Sequence, residues 1–97
     1  MKLDSPMLKV DFNEMLDSNL VLLSADDAKL NSRGELVSLH EGLPVTVYME
    51  DTDEDGSVDN LVAKGIVVRN RSEVGWASNA KWCCKIDDHG IRHESEL

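Results

Sequence analysis

Residues 51–60, DTDEDGSVDN, set carboxylates at alternate positions and then a glycine. Calcium is a hard cation that gathers several oxygen ligands, and acids at the first, third and fifth places of a loop with glycine at the sixth supply them around one sharp turn. Asp51, Asp53 and Asp55 stand at those places, Gly56 follows, and Ser57 and Asp59 fall where further ligands are expected. The last place of such a loop should hold a bidentate glutamate, and here it is Val62. Two readings follow. One is a calcium site made by Asp51, Asp53, Asp55, Ser57 and Asp59. The other is the acidic tip of a β-hairpin, whose charges keep the loop in water and discourage edge-to-edge pairing.

Up to Val62 the stretch resembles an EF-hand loop, but that loop lies between two amphipathic helices and neither flank here has a helical period. The hairpin tip is therefore the preferred reading, and calcium is kept as the alternative. A second group of ligand types is Cys83, Cys84, His89 and His93, where His-x3-His is a spacing used by zinc sites. Adjacent side chains of a strand point to opposite faces, so both thiols cannot easily reach one tetrahedral ion. Cys84 is expected in the core with Trp82 and Ile86. Cys83 is expected to face outward between Lys81 and Lys85, whose charges favour a reactive thiolate. Ser38 precedes His40 and Asp87 precedes His89 by two residues each, but sequence proximity does not make a triad. With no glycine-flanked nucleophile and no phosphate-binding glycine loop, the sequence predicts no enzyme and no cofactor.

Trp76 lies in a predicted loop, where it either folds back to cap the core or anchors a partner. Arg69, Arg71 and Lys81, with Lys64 nearby, would form a basic strip beside it, the minimum for binding single-stranded nucleic acid. Charge argues against that use. The chain has 97 residues, 10 basic and 19 acidic, for a net −9. Residues 25–60 carry ten of the acids and only two bases, while residues 61–97 carry six bases against five acids. A field of that sign repels phosphate backbones. No apolar run approaches the roughly 20 residues a membrane helix needs. The N-terminus lacks the continuous apolar stretch of a secretory signal, and the two cysteines are adjacent rather than spaced for stapling. These features predict a cytoplasmic protein.

The elements that must carry these residues are mostly strands. Residues 19–24, NLVLLS, form a short apolar run, and NSRG, residues 31–34, reads as a turn between two short strands. LPVTVYME alternates cleanly, with Val45, Val47 and Met49 on one face. NLVAKGIVVRN is β-branched, and Gly65 marks a bulge or sharp bend. ASNAKWCCKID gives another strand, and IRHES a last short one. Residues 1–19 mix periods and read as a loosely held arm with a short helical turn over 12–17. The expected fold is all-β: a small, partly open barrel of five to six short antiparallel strands, residues 20–97, preceded by the arm, the whole one domain.

EGLPVTVYMED, an acidic turn and NLVAKGIVVRN together resemble the central hairpin of SH3-like barrels, and residues 35–87 are similar to small uncharacterised bacterial proteins of that fold. The resemblance implies an SH3-like barrel, a fold that hosts RNA binding, peptide binding and structural roles alike. The function expected is a non-enzymatic protein- or peptide-binding module. A homodimer is plausible for so small a sheet. The alternatives are the calcium module described above and RNA binding through Arg69, Arg71, Trp76 and Lys81.

Overall fold

A computed structural model describes residues 6–52, 54–71, 75 and 78–96. Among them are nine short strands: β1 Leu8–Lys9, β2 Met15–Asp17, β3 Leu20–Ser24, β4 Ala28–Leu30, β5 Leu36–Ser38, β6 Pro44–Met49, β7 Leu61–Arg69, β8 Trp82–Ile86 and β9 Arg92–His93. One turn of 3-10 helix, Glu94–Glu96, follows β9, and no described helix is long and apolar enough to cross a membrane. The main sheet runs β1-β6-β7-β8-β3-β2, with β9 beside the start of β7; β4 and β5 make a separate hairpin. The fold is all-β, an open sheet curled into half a barrel. Every pairing is antiparallel except β1 with β6, which is parallel.

Chain length explains the curl. The first and last strands of the sheet, β1 and β2, are consecutive in sequence. Six flat strands would set them about 24 Å apart, at about 4.8 Å per step. The five residues from Val10 to Glu14, even fully extended, bridge only about 20 Å. They also contain a turn, in which Glu14 N–H donates to Asp11 O at 2.9 Å and Asn13 N–H to Asp11 Oδ1 at 2.9 Å. The sheet must therefore roll until its edges approach. Val10 N–H donates to Tyr48 O and Leu22 N–H to Glu14 O, so the bridge is bonded at both ends.

This corrects the reading of residues 1–19 as a loosely held arm. From Leu8 onward the segment is edge strand at both ends, and Met15–Asp17 is β2 rather than helix. Its mixed periodicity arises because it leaves one edge of the sheet, turns, and joins the other.

The core is aliphatic, as the scarcity of aromatics requires. Val21, Val47 and Val67 are fully buried at its centre, with Leu8, Val10, Leu23, Leu39, Ala63, Trp82, Cys84 and Ile86 around them. Phe12 and Met15 pack onto this cluster from the bridging segment. Trp82, Cys84 and Ile86 share the inner face, in line with the alternation in WCCKI.

Gly65 makes no bulge. The register of β7 runs unbroken past it against β6, and the pairing with β8 begins at it and continues without a shift. The residue is glycine because β8 lies too close for anything larger: a Cβ would overlap the Lys85 carbonyl oxygen and stand 2.9 Å from Cys84 Sγ. The NSRG turn forms as expected. Asn31 Oδ1 accepts N–H bonds from Arg33 at 2.9 Å and Glu35 at 3.0 Å, and Gly34 takes a φ of 77°.

Candidate functional site

The acidic stretch is the tip of the β6–β7 hairpin. Thr52 and Val58 bridge across it, and Asp59 N–H donates to Asp51 O at 3.0 Å. Its carboxylates turn to separate partners. Asp55 Oδ1 accepts the Ser57 N–H at 2.9 Å, the bond that most lowers its pKa below 3.8. Asp59 accepts the Ser95 hydroxyl at 2.6 Å and the Ser95 N–H at 3.0 Å, and these bonds lower its pKa in the same way. Asp51 Oδ2 lies 2.9 Å from His93 Nε2. Asp53 lies outside the described residues. Among the described residues, no three acid, histidine or cysteine side chains converge as a metal site would need.

Cys83 does not face water. It belongs to the outer face, as alternation dictates, yet both it and Cys84 are fully buried. The correction comes from neighbours across the sheet rather than along the strand: β8 is central, and Leu22 and Val68 flank Cys83 on β3 and β7. Burial raises the Cys83 pKa to about 11 and the Cys84 pKa to about 12, so neither is a thiolate at neutral pH.

The basic residues of the strip meet Trp82 on one side and a groove on the other. Trp76 is outside the described residues. Arg69 and Lys81 both lie over the Trp82 ring, at 5.6 and 5.7 Å from its centre, a cation–π arrangement. Lys81 Nζ also reaches Asp27 Oδ1 at 2.7 Å, and the Trp82 indole N–H donates to the same oxygen at 3.0 Å. The Lys81 bond, then the Trp82 bond, hold Asp27 below its usual pKa. Lys81 and Arg69 are thus engaged around Trp82, and Arg69 also lines one groove with Arg71.

Arg71 lines an open groove of about 580 Å³ on the outer face of the sheet. Leu16, Leu20 and Val68 give it an apolar floor, and none of the three belongs to the core cluster. Lys85 stands beside them, on the row that pairs Leu20 with Ile66 across β8. Arg71 and Lys85 have no carboxylate partner among the described residues. The two acids at the groove, Asp17 and Glu41, accept backbone N–H bonds from Ser18 at 2.7 Å and Arg69 at 3.3 Å. Sequence reasoning missed this floor. A signal was present, because NLVLLS, GIVV and WCC are unbroken apolar runs, and such runs belong to strands apolar on both faces.

A second groove, also about 580 Å³, opens where the β4–β5 hairpin meets β6. Its walls include Leu8, Val37, Leu43 and Val45, which are core residues or pack directly onto the core. It is the open mouth of the half-barrel, and packing accounts for its apolar lining. No family model, curated protein or solved structure matches the chain.

Proposed function

We propose that the chain is a non-enzymatic binding module for a protein or peptide, working in the cytoplasm, and that the outer-face groove is its docking surface. One observation carries the reading: an apolar floor of Leu16, Leu20 and Val68, outside the core, lies beside two cations that have no carboxylate partner among the described residues. Apolar floor with a few polar groups around it is the common composition of recognition surfaces. The occupant that fits is an extended segment that buries one or two apolar side chains on the floor and sets a carboxylate against Arg71 and Lys85. Asp17 and Glu41 turn toward backbone N–H groups and leave those cations to the ligand.

The test is a selection of peptides from a random display library, followed by methyl-resolved NMR titration. Selected peptides are expected to shift the methyls of Leu16, Leu20 and Val68, and to weaken about tenfold against R71E/K85E, in line with a few tenths to 1 kcal/mol per exposed charge contact. Binders that leave those methyls unmoved, or bind the variant equally, would overturn the reading.

A further inference from the structure

We infer that the segment 92–96 is a pH-sensitive clasp, held shut by protonated His93 and covering a sheet edge that it exposes when His93 loses its proton. β9 pairs Arg92 and His93 with Val62 and Leu61, at the start of β7. On the other side those same residues of β7 pair with β6, and β8 begins to pair with β7 only at Gly65. β9 is therefore what occupies the second edge of β7 over its first residues, and Val62 beneath it is 3% exposed.

The clasp has little apolar holding power. Arg92, His93 and Glu94 are only half-buried, and Ser95 and Glu96 are exposed. Its attachment is polar. Glu94 N–H donates to Asn60 O at 2.9 Å, and Ser95 gives both its N–H and its hydroxyl to Asp59. His93 presents one ring nitrogen to Asp51 at 2.9 Å and the other to Glu96 at 3.3 Å. Both ring nitrogens can donate only in the imidazolium, so the protonated ring satisfies both carboxylates and the neutral ring satisfies one.

The groups facing His93 are Asp51 and Asp59 from the hairpin tip and Glu96 from its own segment; all are acids. They raise its pKa above 6.5, the Asp51 bond most. A raised pKa fixes the direction. The attachment is fully present below about 6.5 and is lost as pH rises through the folded value above it. Deprotonation then leaves Asp51 and Glu96 to share the one remaining ring proton, with the Asp59 charge no longer offset, and the strand edge of Leu61–Val62 becomes available to another strand.

The test is amide hydrogen exchange on the full chain between pH 5.5 and 8.5, corrected for base catalysis. Protection of the Glu94 and Ser95 amides is expected to fall severalfold as pH passes the His93 titration, which NMR follows in the same sample. Amides shared by β3 and β8 should hold their protection. H93Q should remove the pH dependence, and D51N should move the His93 midpoint down toward 6.5 and the loss of protection with it. Constant protection of Glu94 and Ser95 across the range, or an unchanged pH dependence in H93Q, would overturn the clasp. D51N serves as a second, milder perturbation if H93Q is poorly folded.

Discussion

Gly65→Ala tests whether β7 and β8 are as close as the fold requires. The added methyl group would overlap the Lys85 carbonyl oxygen and lie 2.8 Å from the carbonyl carbon and 2.9 Å from Cys84 Sγ. The first two atoms are backbone, so no side-chain rotation relieves the overlap. β8 cannot easily retreat either, because β3 is bonded to its other edge. Overpacking a closed site costs about 1–3 kcal/mol, and obstruction by backbone puts this case near 3. For a domain under 100 residues each kcal/mol moves the melting midpoint by about 4–8 °C, so G65A should melt at least about 12 °C below the wild type. Gly34→Ala is the comparison. At Gly34 a Cβ meets nothing within 4 Å, but φ is +77°. That substitution costs the left-handed penalty alone, about 1 kcal/mol and about 4–8 °C. Thermal melts followed by far-UV circular dichroism, with urea slopes to confirm that the unfolding transition is the same, measure both. If G65A melts with or above G34A, the two strands are not packed backbone to backbone at this point and the account of Gly65 is wrong.

Three further outcomes follow from the site geometry. Iodoacetamide at pH 8 should leave Cys83 and Cys84 unmodified in the folded protein and react with both in urea; rapid labelling of either in the native state would contradict their burial and their pKa values of about 11 and about 12. Calcium and magnesium at millimolar concentration should shift the melting midpoint equally and slightly, because Asp51, Asp55 and Asp59 are turned to separate partners; a calcium-specific rise of several degrees would restore the calcium reading. Ser95→Ala should flatten the acid limb of the stability curve. Asp59 has its pKa lowered by Ser95, so its contribution is present above 3.8 and is lost as pH falls through the folded value below that. Melts of wild type and S95A between pH 2 and 5 check this, and parallel curves would refute it.

Much of the fold was legible in the residue order. LPVTVYME and NLVAKGIVVRN read as strands from alternation and β-branching, NSRG as a turn from its asparagine and glycine, and the acidic stretch as a hairpin tip from its flanks. These are local signals, carried by residues within one element. The segment before β3 failed because its two halves answer to different partners, β6 and β3. The groove was half legible. The continuous apolar runs announce strands with two apolar faces, but not which outer-face residues stay uncovered.

By itself, then, the sequence determined the all-β class, the aliphatic core, the turn positions and the acidity of one end, since propensity, pattern and charge act over a few residues at a time. Tertiary structure alone decided that Cys83 is buried by Leu22 and Val68, that Asp27 serves Trp82 from 55 residues away, and that His93 meets Asp51 from 42 residues away. The physical reason is that burial, hydrogen-bond partners and pKa are set by neighbours across the sheet. Those neighbours are chosen when a short bridge between the two edge strands forces the sheet to curl.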